Sequence, residues 1–76
     1  MELKDIIEDI LSKIPEMYAV PLKLYYIENM SVKEIGHVLA LNDSTVKWRL
    51  YQGRSLFRKL AGEQLLSGYI RIRQAV

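Results

Sequence analysis

Apolar residues recur at helical spacing along most of the chain and predict four consecutive helices. The first predicted helix carries one continuous apolar stripe, made of Leu3, Ile6, Ile7, Ile10, Leu11 and Ile14. Pro15 ends this helix and also begins the second, which is expected to run to about Glu28. Pro21 lies inside the second helix and removes one backbone hydrogen bond, so a bend is expected between Met17 and Pro21.

Residues 31–60 predict two further helices joined by a short turn, an arrangement known as a helix-turn-helix. The third helix begins at Ser31, and Glu34 follows three residues later, which is the spacing of a capping box. Gly36 leaves room on this helix for a second helix to come close. Residues 40–41 are expected to form the turn between the two helices.

The fourth helix is expected to begin after Asn42, which is a favoured N-cap residue, with Asp43 where the helix dipole favours an anion. At about 100° per residue, one face of this helix is apolar and should pack into the core. That face consists of Val46, Leu50, Gly53, Phe57 and Leu60.

The opposite face of the fourth helix is polar, cationic and aromatic. It carries Ser44, Thr45, Lys47, Trp48, Tyr51, Gln52, Ser55, Arg58 and Lys59, with Arg49 and Arg54 on its flanks. In a helix-turn-helix, side chains near the start of the second helix reach base edges, and cations contact phosphates. The pattern therefore favours binding to the major groove of duplex DNA over a solvated helix that is basic by chance.

Charge is distributed unevenly along the chain. Residues 1–43 contain four basic and eight acidic residues, whereas residues 44–76 contain seven basic residues and Glu63 as the single acid. A domain with one basic half suits a polyanion such as DNA. The acidic half would then face solvent or another protein.

The composition excludes several other classes of function. A chain of 76 residues forms one small domain with no room for a buried enzyme site of ordinary size. It has no cysteine, and His37 is the single histidine, so we expect no metal, no cofactor and no catalysis. No apolar run reaches a membrane span, and the acidic N-terminus is unlike a signal peptide, so we expect a cytoplasmic protein without a membrane partner.

The residues on both sides of the turn resemble region 4 of bacterial sigma factors of the extracytoplasmic-function group. The resemblance extends from about Leu3 to Leu60. It includes Pro15-Glu16, Tyr25-Tyr26, Met30-Ser31, Glu34-Ile35, Thr45-Val46-Lys47, Arg49-Leu50-Tyr51 and Gly53-Arg54. LuxR-type domains share the pieces Lys33-Glu34-Ile35 and Thr45-Val46-Lys47, but they do not account for the rest.

The resemblance implies an all-α domain that binds the −35 promoter element through its last helix and docks on the β flap of RNA polymerase. An anti-sigma factor is a further implied partner. The family often has glycine where this chain has Ala40, which implies a slightly strained turn. Matched position by position, the implied DNA-binding residues are Lys33, Ser44, Thr45, Lys47, Trp48, Arg49, Tyr51, Gln52, Arg54 and Arg58.

Two of these residues depart from the pattern of the family. The position of Trp48 is more often small, and that of Gln52 is more often arginine, so the base sequence that is read cannot be copied from relatives. Trp48 is expected either to contact DNA or to lie beneath the C-terminal residues. The departures also leave an alternative function open, namely a sigma-like adaptor that binds polymerase or an anti-sigma factor with little DNA contact.

The residues after the helix-turn-helix are harder to interpret. We expect residues 1–62 to form the sigma region 4-like domain and residues 63–76 a C-terminal extension, either a helix or a loosely ordered tail. Such an extension would pack on the domain or mediate self-association if it is ordered. The sequence leaves open whether the chain is part of a longer sigma factor or a freestanding regulator.

Overall fold

The computed structural model describes the backbone of residues 2–75 and the side chains of residues 2–64. Within that range the protein is all-α, as predicted, and contains no strand. Its elements are α1 (Leu3–Ser12), α2 (Glu16–Tyr26), α3 (Val32–Leu39) and α4 (Asp43–Ala75). None of the helices, so far as the structure describes them, is long and apolar enough to cross a membrane.

Helix α1 ends three residues before Pro15, so the prediction that it runs to Ile14 is wrong. The backbone N–H of Lys13 still donates to the carbonyl of Ile10, which makes a last tight turn. Ile14 is nevertheless buried, because the linker after that turn directs its side chain into the core. The apolar stripe therefore identifies core residues correctly but overestimates the length of the helix.

Helix α2 continues through Pro21, which is buried. It ends at Tyr26, two residues before the predicted end at Glu28. The chain then reverses at Asn29, whose φ of 56° is in the left-handed region that asparagine tolerates well. The bend near Pro21 stays a prediction, because a helix can be continuous and still bend slightly along its axis.

The core lies where α3 and α4 meet α1 and α2. Ile35, Val46 and Leu50 are at most 1% exposed. Five other apolar residues complete the buried cluster, namely Ile10, Leu11, Ile14, Ala19 and Leu22. The predicted apolar face of α4 is confirmed, because Gly53 is also buried and both Phe57 and Leu60 pack against the cluster.

Helices α2 and α4 approach each other closely at Gly53. A Cβ atom on Gly53 would lie 2.9 Å from Cδ1 of Leu22 and 3.3 Å from the carbonyl oxygen of Tyr18. Glycine at this position therefore lets α2 lie directly against α4. This contact fixes the position of the first turns of α2 relative to α4.

Helix α4 does not stop at the end of the helix-turn-helix. It is a single helix of 33 residues, so the C-terminal extension continues it through Ala75. The predicted boundary between residues 62 and 63 falls inside this helix, and the division into two parts stays a prediction. Packing or self-association through residues beyond Gln64 lies outside the described side chains.

Candidate nucleic-acid interface

The start of α3 is fixed by two reciprocal hydrogen bonds. The backbone N–H of Glu34 donates to Oγ of Ser31, and the backbone N–H of Ser31 donates to Oε1 of Glu34, each at 3.1 Å. These bonds satisfy donors that the first turn of a helix would otherwise leave free. The predicted capping box is confirmed.

The turn between α3 and α4 folds back tightly over α3. Ala40 has φ 56° and ψ 47°, a left-handed conformation that confirms the predicted strain. The N–H of Leu41 then donates to the carbonyl of Gly36 at 2.8 Å. A Cβ on Gly36 would lie only 2.6 Å from the carbonyl oxygen of Leu41, so glycine is needed for this close approach.

The start of α4 is fixed by Asn42, as predicted. Its Oδ1 accepts a hydrogen bond from the backbone N–H of Thr45 at 2.8 Å. This N-cap sets where the helix begins and therefore which residues point inward. Val46 and Leu50 face the core as a result, and the residues opposite them face outward.

The outward face of α4 brings most of the predicted DNA-binding residues together. Ser44, Lys47, Trp48, Tyr51 and Arg58 are exposed, whereas Thr45, Arg49 and Gln52 are half-buried. Lys47 and Tyr51 are one turn apart, as are Trp48 and Gln52, so each pair occupies adjacent places on the surface. Lys33 is exposed on α3, outside this helix.

Arg49 is less exposed than Lys47 on the same helix. It is half-buried on the flank of α4, and its Nε is buried without a hydrogen-bond partner among the described residues. Buried donors in folded proteins are usually paired, so an unpaired guanidinium nitrogen is unusual. Surrounding atoms therefore shield Nε from solvent, while Arg49 as a whole remains half-buried.

Arg54 and Arg58 border a second surface feature. The guanidinium carbon of Arg54 lies 6.0 Å from the ring centroid of Tyr26, at the outer limit of a cation–π contact. Both arginines line an open groove of about 380 Å³ between α1, α2 and α4. The remaining lining residues are apolar or aromatic, namely Ile7, Leu11, Leu22, Tyr26, Ile27 and Phe57. Both arginines therefore border this groove as well as belonging to α4.

Sequence reasoning did not identify this groove. Its floor includes Leu11, which periodicity assigns to the core, and Leu22, which is buried on α2. Tyr26 and Ile27, each 55% exposed, extend that apolar surface outward at the end of α2. Apolar residues occur on more than one face of α2, which could have indicated an apolar surface. The groove itself becomes visible only when the helices are packed together.

Trp48 lies against Tyr18 of α2. Their ring centroids are 5.8 Å apart with an interplanar angle of 57°, and Trp48 is 50% exposed. The alternative that Trp48 lies beneath the C-terminal residues is wrong, because α4 is continuous and Gln64 is about 24 Å farther along the helix axis. Tyr18 was missed because the helical spacing of α4 gives no information about a neighbour on another helix.

Among the described residues, no group of three or more histidine, cysteine, aspartate or glutamate side chains is arranged to hold a metal ion. The described features of the interface are a basic and aromatic helix face, a tightly capped turn and an apolar groove. None of these is a catalytic arrangement of nucleophile and base.

Comparison with known proteins identifies the family. The family model described as Sigma-70, region 4 matches residues 4–56. The chain is 37% identical over 59 residues to the ECF RNA polymerase sigma factor SigW of Bacillus subtilis (strain 168), which covers 78% of this chain and 32% of that protein. It is 27% identical over 60 residues to the ECF RNA polymerase sigma factor SigM of the same organism, covering 79% of this chain and 37% of that protein.

The chain thus spans about a third of the length of these two relatives. No solved structure matches it significantly. Region 4 is a DNA-binding, non-enzymatic part of transcription initiation factors, so the prediction that the chain is not an enzyme is confirmed. With the match over residues 4–56, the chain belongs to the sigma-70 region 4 family.

Proposed function

We propose that this chain recognises the −35 element of promoters through the outward face of α4 and docks on the β flap of RNA polymerase. The observation that carries the first part is the fixed presentation of that face by the capped start of α3, the turn over Gly36 and the N-cap at Asn42. A helix held in this way enters a major groove without first having to be ordered. A sigma-like domain of this kind acts in the cytoplasm, where polymerase and promoters are.

The proposal divides the DNA-binding residues by chemistry. Trp48 and Gln52 lie one turn apart near the start of α4, the part of a recognition helix that contacts bases, and this supports assigning them to base edges. The Gln52 amide pairs bidentately with adenine, and an apolar ring packs against a thymine methyl. The residues left for phosphates carry hydroxyl groups or positive charge, namely Lys33, Ser44, Thr45, Lys47, Arg49, Tyr51, Arg54 and Arg58.

A binding-site selection from random duplexes tests this reading. We expect the wild type to select a site rich in A and T, because glutamine and the indole favour those bases. Gln52→Arg should shift the preference toward G, since arginine pairs with O6 and N7 of guanine, with about 1–3 kcal/mol of discrimination. Trp48→Ser should relax the preference for T at one position. Unchanged preferred bases in both variants would contradict base reading by these residues.

The groove is the surface that we propose for the β flap. It offers an apolar floor, which the exposed residues Tyr26 and Ile27 extend into one continuous apolar patch, and such patches mark protein-binding sites. The acidic N-terminal half, which was expected to face solvent or another protein, offers a second candidate surface for this contact. Glu8 and Asp9 of α1 remain candidates for its outer edge.

Binding of an isolated flap fragment, without DNA, tests the docking surface. Ile27→Glu places a charge in the groove and should weaken flap binding by about tenfold or more, because a charged group there loses its hydration. Val38→Glu is a matched control, since Val38 is 56% exposed on α3 and does not line the groove. Equal effects of the two substitutions would contradict docking in the groove. Loss of binding on charge reversal at Glu8 and Asp9 alone would favour the acidic surface.

A second candidate function follows from the same groove. A sigma-like adaptor would bind polymerase or an anti-sigma factor through this apolar surface and scarcely touch DNA. The selection experiment separates the two functions, because an adaptor enriches no sequence. Competition between an anti-sigma factor and either DNA or the flap fragment would show which surface such a partner covers.

A further inference from the structure

Tyr18 and Trp48 form the single described aromatic contact between α2 and α4. The rings are tilted by 57° with centroids 5.8 Å apart, within the range of separations found for aromatic pairs in contact. Tyr18 is half-buried, whereas half of the Trp48 surface remains exposed. One side of the indole is therefore in contact with the protein, and the other is open to a partner.

Tyr18 is itself firmly placed relative to α4. Its backbone N–H donates to the carbonyl of Pro15 at 2.9 Å in the first turn of α2. Its own carbonyl oxygen lies 3.3 Å from where a Cβ of Gly53 would be, so the two helices touch at this residue. The backbone of Tyr18 is therefore fixed against α4, and its ring projects from this fixed point toward Trp48.

We propose that Tyr18 is a positioning residue that sets the orientation of the Trp48 indole for base recognition. This inference rests on the proposed function, because it assigns Tyr18 a role in the DNA contact made by Trp48. An exposed tryptophan without a neighbour samples several rotamers and has to be ordered when it binds. Contact with Tyr18 restricts those rotamers before DNA arrives, and specificity thus depends on a residue outside the recognition helix.

Trp48 is the single tryptophan of the chain, so its fluorescence reports on this contact directly. Time-resolved anisotropy of the free wild type should show little independent motion of the indole. Tyr18→Leu should increase that motion and the quenching by acrylamide, while Tyr18→Phe should leave both close to wild type because it keeps the ring. Free nanosecond rotation of Trp48 in the folded wild type would overturn the proposal without any variant.

Affinities for the selected duplex and for a scrambled duplex complete the test. Tyr18→Leu should weaken binding to the selected duplex by about three- to tenfold, the range expected from one aromatic contact, and Tyr18→Phe by less than about twofold. Binding to the scrambled duplex should stay within about twofold, since phosphate contacts dominate it. In the Trp48→Ser background, Tyr18→Leu should have no further effect on either affinity.

An equal loss from Tyr18→Leu in both backgrounds would show that Tyr18 acts through general stability, and the proposal would then be wrong. Unaltered binding of Tyr18→Leu to the selected duplex would overturn the positioning role alone. Failure of the wild type to bind any duplex would instead overturn the proposed function, and the positioning role with it. Circular dichroism melting of each variant confirms that the affinities are measured on folded protein.

Discussion

Gly36→Ala is expected to lower the stability of the domain by about 2 kcal/mol, since forcing a methyl group into a packed site costs about 1–3 kcal/mol. The added Cβ would lie 2.6 Å from the carbonyl oxygen of Leu41, a backbone atom that cannot rotate away. Relief requires α3 and the turn to separate, which strains the hydrogen bond from the N–H of Leu41 to the carbonyl of Gly36. The melting temperature should fall by roughly 8–16 °C for a domain of this size.

Gly62→Ala is the matched control for this prediction. No atom lies within 4 Å of a Cβ built on Gly62, and this glycine is also inside a helix. The substitution should therefore raise stability by up to about 1 kcal/mol, because alanine favours helix over glycine. Thermal unfolding of both variants gives the comparison. A Gly36→Ala protein as stable as Gly62→Ala would show that the turn is looser than described.

Lys47→Ala is expected to weaken binding to duplex DNA by about tenfold and to lower the slope of log affinity against log salt by about 0.9. Lys47 is exposed on the outward face of α4, one turn before Tyr51. Loss of a single phosphate contact releases one counterion fewer, so the effect should be similar for selected and scrambled duplexes. Titrations at several salt concentrations measure both quantities.

Lys4→Ala changes the net charge equally and serves as the control. Lys4 is exposed on α1 and is not among the residues proposed to contact DNA. Its substitution should leave the salt slope unchanged. Equal reductions of affinity in both variants would indicate that binding follows net charge and not the face of α4.

Local rules of sequence predicted the helix-turn-helix well. The capping box of Ser31 and Glu34 and the N-cap at Asn42 each depend on residues within three positions of one another. The inward face of α4 was predictable because helical periodicity alone decides which residues share a face. The resemblance to sigma region 4 assigned the helix-turn-helix to the same residues.

Features that depend on how helices meet were not predictable in this way. The contact of Tyr18 with Trp48 and the groove beside Tyr26 arise from the packing of α2 on α4 at Gly53. Helix ends were also less certain, as at Ser12, because a buried residue such as Ile14 can follow a helix as well as belong to it. The spacing of apolar residues predicts which side chains are buried, but it does not predict which other helix they pack against.

The most direct test of the central claim is an NMR titration of the isotope-labelled chain with the selected duplex. The account predicts that the largest amide shift changes fall on the first half of α4, around Lys47, Trp48 and Tyr51, while the amides of α1 change little. Such a map would show that the outward face of α4 is the DNA interface. Changes confined to α1 and α2, or no change at low salt, would contradict the claim and favour the protein-binding adaptor.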